Sequence, residues 1–308
     1  MKTSKASALA WGGVLLAGTL WGGGAVVGQL LLERGISPFE LALARFALGL
    51  PLLWCWHLGR ASPAAPGQPR NRRAPGWRAG ALVVGTGIAM ALAVTCWFAG
   101  IAALGASLPT VIAICGAPVI VALISVLRGY ERLTGRLLVA LCLAMAGVAL
   151  IVVPAAGLEL PPGYQAGLAW SFAAAGLQAL VVLGNARMPS RVPAATASAW
   201  GMTAAACCMT ALALPQGVTW PSGALVWLGL AYTGVVTTSV AYALFAWSAR
   251  RLTPTAATIG IMVEPLVATL LAGWLLAEPL AARQWMGAAL LGAAMLPLTR
   301  RAVPRKRE

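Results

Sequence analysis

Apolar runs of about 20 residues, separated by short clusters of Pro, Gly and Arg, recur along the whole chain. An α-helix of about that length crosses roughly 30 Å of hydrocarbon. The pattern predicts ten spans, over 7–28, 37–57, 79–100, 107–127, 134–154, 164–184, 194–214, 223–247, 254–277 and 281–299. The first run, SALAWGGVLLAGTLWGGGAVVGQLLL, is longer than the apolar core of a signal peptide and is followed by many more. It therefore reads as a retained first helix. Only one connection is long: residues 59–78, GRASPAAPGQPRNRRAPGWR, whose Pro, Gly and Arg content suits a flexible cytoplasmic loop. The other links are short, so neighbouring spans are expected to pack as antiparallel pairs, with no separate soluble domain.

Composition and charge sharpen this picture. With 60% hydrophobic and 9% charged residues and a mean hydropathy of +0.84, the chain cannot clothe a soluble globule in polar surface. Placing the N-terminus inside puts 19 of the 22 Lys and Arg on the cytoplasmic side, from Lys2 and Lys5 through the long loop to the run after Arg300. Arg34 and Arg283 remain outside, and Arg45 falls within a span. This is the bias of the positive-inside rule, and it places both termini in the cytoplasm. It also supports the count of ten, because one missed span would scramble the alternation downstream. The same bias explains the net charge of +15. The basic residues are scattered over loops without an aromatic platform, so the implied partner is a lipid bilayer and not nucleic acid.

The chain resembles itself at an offset of 147 residues. Thr86 and Gly87 align with Thr233 and Gly234, Phe98 with Phe245, Pro118 with Pro265, Glu131 with Glu278 and Arg136 with Arg283. Residues 82–136 align without a gap and hold 12 identities in 55 positions. Chance gives several matches in an Ala- and Leu-rich chain, but Pro, Glu and Arg are uncommon in or beside apolar spans. Each half contains five spans, an odd number, so the two copies must have opposite orientation in the membrane. The fold expected is an all-α membrane protein of ten transmembrane helices, built as inverted five-helix repeats over 1–155 and 156–308.

Three stretches carry a resemblance to a known family: TLWGGGAVVGQLLLERGISPFELALARF, APVIVALISVLRGYERLTGRLLVALCLAMAGVALI and EPLVATLLAGWLLAEPLAARQWMGAALLGAAML. They resemble the two EamA-type repeats of the drug/metabolite transporter superfamily, through a Pro followed 13 residues later by Glu and then by a Gly-rich helix in each half. The second copy departs from the usual GERL by reading AEPL, and the sixth span lacks the Trp-Gly of the first. The resemblance implies a ten-helix inner-membrane carrier, often an exporter of amino acids or other metabolites, with a central cavity lined mainly by helices 1, 3, 4, 6, 8 and 9.

Glu264, followed by Pro265, is the strongest candidate for chemistry. All seven acidic residues are Glu, and this one lies ten residues after Pro254, about 15 Å along the ninth span. At that depth it must be protonated, pair with a cation or face water. It either binds a cationic group or a coupling proton, or hydrogen-bonds a carbonyl freed by Pro265. Pro118 and Pro265 leave the carbonyls of Ile114 and Ile261 without their helical partners, so kinks are expected at both. Arg45 gates substrate, snorkels outward, or pairs with Glu40 five residues earlier. Trp21, Gln29, Trp97, Gln178, Tyr232 and Tyr242 offer aromatic and polar contacts to a ligand, with interfacial anchoring as the plain alternative for the aromatics. Glu131 and Glu278 are read as structural groups at helix ends that cap or pair locally, with Arg136 and Arg283 as the available partners. Gly22, Gly23 and Gly24 suit close helix packing.

The six cysteines lie in apolar segments with no CxxC and no Cys/His metal spacing, and the lone His57 beside Trp56 suits an interfacial anchor. There is no Walker sequence, so no cofactor is implied and any energy coupling runs through substrate or ion gradients. The reading is a secondary or facilitative transporter of small metabolites. A lipid or drug carrier on the same fold is the near alternative. A lipid-modifying enzyme is the distant one, since it requires a His, Asp, Lys or metal constellation at the interface.

Overall fold

The computed structural model describes residues 2–59, 76–104, 107–132, 134–153, 162, 164–219, 222–275 and 281–299. Every regular element among them is helical: α1 (Lys2–Glu33), α2 (Pro38–Gly59), α3 (Trp77–Leu104), α4 (Ser107–Leu127), α5 (Gly135–Val152), α6 (Tyr164–Arg187) and α7 (Ala194–Ala213). A 3-10 turn (Leu214–Gln216) follows, then α8 (Ala224–Ala231), a π-helix (Tyr232–Val240), α9 (Ala241–Ala249), α10 (Pro254–Ile261), α11 (Val263–Leu275) and α12 (Ala282–Thr299).

The starts and stops are written in the chain. Ser37 and Glu40 form a reciprocal capping box at α2, with Ser37 N donating to Glu40 Oε2 (2.8 Å) and Glu40 N to Ser37 Oγ (3.2 Å). Thr253 accepts from Ala256 N at α10, and Pro254 occupies the first helical position. α1 ends where Gly35 takes a φ of 87° that a side chain would disfavour, with Ile36 N reaching Leu31 O and Gly35 N reaching Leu32 O.

Nine helices among the described residues are long and apolar enough to cross a membrane, counting Ala224–Ala249 as one span and Pro254–Leu271 as another. The tenth expected span, α12, is helical as well. The eighth span is not one α-helix: its middle unwinds into the π-helix. The ninth breaks at Met262, three residues ahead of Pro265. The expected kink at Pro118 is not matched by an interruption, since α4 runs continuously through it.

Helices pack across the two halves of the chain. α1 lies against the π-helix, α9, α10 and α11, while α6 lies against α3 and α4. α5 packs on α12, where a Cβ on Gly147 would come within 2.7 Å of Gly287 O and a Cβ on Gly287 within 2.6 Å of Gly147 O. The aligned Thr-Gly pairs meet equivalent neighbours: Gly87 of α3 abuts Gly201 of α7, and Gly234 of the π-helix abuts Gly49 of α2. In lipid the tails are as apolar as the side chains, so such close backbone contacts, and not water exclusion, supply the cohesion. Between them lie fully buried Phe46, Phe245, Met202 and Met209.

Candidate functional site

The run Gly22-Gly23-Gly24 lets α1 wedge between two irregular segments. A Cβ on Gly22 would lie 2.6 Å from the carbonyl oxygen of Glu264, one on Gly23 2.8 Å from the Tyr232 hydroxyl, and one on Gly24 2.5 Å from Thr237 Cγ2. One turn of α1 thus touches both α11 and the π-helix, and Trp21 pins the arrangement by donating Nε1 to Thr237 O at 2.7 Å.

The π-helix is rich in short hydroxyls. Thr237 and Thr238 donate to Thr233 O (2.6 and 2.9 Å), and Ser239 donates to Gly49 O of α2 (2.5 Å) and to Gly234 O (3.2 Å). These side chains serve backbone carbonyls that the wider winding exposes. Their oxygens still accept, and Arg45 of α2 uses them: Nε donates to Thr238 Oγ1 at 3.2 Å and Nη2 to Thr237 Oγ1 at 3.5 Å. Two nitrogens of a five-donor guanidinium are therefore held by neutral groups.

The opposite charge comes from α11. Met262 N bonds Ile259 O in a tight turn, and α11 restarts with Glu264 in its first turn, where the helix dipole favours an anion. Glu264 and Arg45 carry opposite charges, and both are half-buried in the membrane-spanning part of the molecule. A charge from the first half of the chain and one from the second thus share an interior from which neither is sealed.

The other candidates lie elsewhere. Tyr232 sits beside Gly23 at the edge of this group, whereas Trp21 is buried, spends its N–H on Thr237 and packs on Phe245 at 5.5 Å. Trp97 donates to Thr110 Oγ1 (3.3 Å) between α3 and α4, and Gln178 is half-buried on α6. Gln29 is exposed near the end of α1 and bonds Glu33. Tyr242 is fully buried, with its hydroxyl accepting from Asn185 Nδ2 at 3.3 Å.

Several expected pairings are replaced. Glu40 does not meet Arg45: beyond its capping box it accepts from Thr219 N (2.6 Å) and Thr219 Oγ1 (2.8 Å) in the segment after α7. Glu131 does not pair with Arg136 but accepts from Thr255 N (3.0 Å), capping α10 of the other half. Arg283 donates to the Val153 carbonyl at the end of α5, and Glu278 lies outside the described residues. His57 bonds Thr196 of α7 (3.2 Å) and lies edge-on to Trp54, so it joins two helices. Sequence reasoning used Thr233 only as a matched position of the repeat and passed over Thr237, Thr238 and Ser239; four hydroxyls and a glycine within seven residues of an apolar span were the available signal.

Comparison with known proteins agrees with this architecture. The uncharacterized transporter YwfM of Bacillus subtilis (strain 168) is 28% identical over 300 residues, spanning 96% of this chain and 94% of that protein. A solved crystal structure, 19% identical, superposes with a TM-score of 0.78 over 97% of this chain and 98% of its own, a likeness of fold alone. The model of the EamA-like transporter family matches residues 8–153 and again 165–299. This chain, a multi-pass membrane protein whose regular elements among the described residues are all helical, belongs to the EamA-like transporter family.

Proposed function

We propose that the chain is a secondary or facilitative carrier that exports a small zwitterionic metabolite, an amino acid or close relative, across the inner membrane by alternating access. The observation that carries this reading is that half-buried Arg45 of α2, resting on the π-helix hydroxyls, and half-buried Glu264 of α11 bring opposite charges, one from each half of the chain, into the membrane-spanning part of the molecule beside an irregular helix. A zwitterion's carboxylate suits the bidentate face of Arg45, and its ammonium suits Glu264. When Glu264 is ionised, its charge and that of Arg45 offset each other, which lowers the cost of keeping both in the membrane.

Irregular backbone at membrane depth is tolerated where protein or a water-lined cavity satisfies it. Both the π-helix and the break at Met262 flank this pair. They serve as the points about which the halves, residues 1–155 and 156–308, rock as inverted repeats. The reciprocal packing of α1 and α6 and of the two Thr-Gly pairs supports that symmetry. The bias of basic residues supports cytoplasmic termini. A proton carried by Glu264 is the coupling ion that this site offers.

The test is flux from proteoliposomes loaded with amino acids, with analogues lacking the amine or the carboxylate, and with a headgroup-labelled lipid. Saturable amino-acid flux that needs both groups is expected. Lipid movement without amino-acid flux would replace this reading with a lipid carrier, and chemical conversion without flux would replace it with an enzyme.

A further inference from the structure

A cavity of about 1010 Å³ lies away from the Arg45 and Glu264 pair, between the N-terminal half of α1, the C-terminal half of α2 and α9. Its walls are stripes at helical spacing: Ala8, Gly12 and Leu16 on α1, Leu52 and Trp56 on α2, and Val240, Ala243 and Trp247 beginning at the end of the π-helix. Small residues form a trough and large ones its sides. Among the described residues that line it, the one hydroxyl side chain, Ser239, is itself spent on Gly49 O and Gly234 O. Leu9, Leu16 and Leu52 are exposed along the rim, so the trough opens sideways.

Depth and charge say what fills it. Counted along α1, the lining from Ala8 to Leu16 lies about 4.5 to 16 Å beyond Lys5, which matches one leaflet of a hydrocarbon core roughly 30 Å thick. Trp56 and Trp247 stand toward the same end, at the level where aromatic belts form. There the mouth is cationic. The exposed Arg251 lays its guanidinium over the Trp247 ring at 4.0 Å and anchors Nη1 on Trp247 O at 2.7 Å, leaving further N–H groups for a ligand. The volume is at the upper end of the roughly 300–1,000 Å³ of ordinary ligand pockets, and a wet polar ligand has nothing to bond in the trough.

We propose that this groove is a binding site for an anionic phospholipid of the leaflet at the N-terminal end of α1, with acyl chain in the trough and phosphate on Arg251. The assignment is independent of the substrate proposed above. A lipid seated there rests against Ser239, one residue from Thr238, and so abuts the π-helix that holds Arg45.

The probe is phosphatidylglycerol carrying a photoreactive diazirine on one acyl chain, added to the full-length protein in phosphatidylcholine nanodiscs. Crosslinks are expected to concentrate in 8–16 and 239–247 and to be displaced by unlabelled phosphatidylglycerol at lower concentration than by added phosphatidylcholine. Gly12→Phe fills the trough from a position where a Cβ meets nothing within 4 Å, and it should abolish these crosslinks while sparing those elsewhere. Ala243→Phe blocks the facing wall and gives the same reading if Gly12→Phe misfolds. Arg251→Gln should cut the anionic preference about fivefold, the factor given by one basic group near an anionic surface. Labelling spread evenly over the lipid-facing helices, equal displacement by both lipids, or unchanged labelling in a well-folded filling variant would each overturn the assignment.

Discussion

Replacing Gly22 by alanine should loosen the joint that holds Glu264, and a control in the same helix isolates the effect. A Cβ at Gly22 would lie 2.6 Å from Glu264 O, 2.9 Å from Val267 Cβ and 3.1 Å from Ala268 N. Two of these are backbone atoms, so relief requires α1 and α11 to separate. Overpacking of this kind costs about 1–3 kcal/mol. Alanine in place of helical glycine also recovers up to about 1 kcal/mol of backbone entropy. That gain is shared by Gly12→Ala, where a Cβ meets nothing within 4 Å. The difference between the two variants therefore reports the clash alone, about 1–3 kcal/mol in favour of Gly12→Ala. Thermal unfolding in detergent, followed by a thiol-reactive dye at buried Cys96 and Cys115, measures it. A Gly22→Ala protein that melts at or above Gly12→Ala would refute the close approach of α1 to α11.

Glu131 gives a pH signature: burial raises its carboxyl above the ordinary 4.5, opposed by the hydrogen bond it accepts from Thr255 N. Stability from a raised carboxyl is full below 4.5 and is lost as pH rises through the folded value. The melting temperature of the protein relative to Glu131→Gln should accordingly fall over that window, and a difference that grows with pH would contradict the burial. Pro265→Ala should reduce flux more than Pro118→Ala, because the chain breaks only ahead of Pro265; equal effects would show that the break at Met262 has another cause. Trp21→Phe keeps the ring against Phe245 but removes the bond to the Thr237 carbonyl, so it should cost about 0.5–1.5 kcal/mol in the same unfolding assay, and a neutral result would remove Trp21 as a pin.

The elements were legible where local chemistry decides them. Ser37-Pro38 with Glu40, and Thr253-Pro254, announce helix starts whatever surrounds them, and the structure begins α2 and α10 there. Partners across helices were not legible. Arg45 and Glu40 are five residues apart and looked like a pair, yet Glu40 turns to Thr219 and Arg45 to hydroxyls more than 190 positions away. Hydropathy reports how apolar a segment is and not which helix its face meets, so nothing in the spacing joined Arg45 to Glu264. The π-helix was hidden for a similar reason: its threonines are apolar enough to pass for span, and their bonds to Thr233 O exist only once the winding has widened. Glu264 stood out because a carboxylate so deep in an apolar run has few ways to exist.

The central claim is that Arg45 and Glu264 receive the two ends of one substrate, and it is tested by counterflow of an amino acid and of its analogue lacking the amine, in the unaltered protein and in Glu264→Gln. The account predicts that the unaltered protein strongly prefers the amino acid and that Glu264→Gln loses most of that flux and the preference with it, while Arg45→Gln loses both substrates. Glu264→Gln moving the amino acid at the unaltered rate, with its preference for the amine intact, would contradict it.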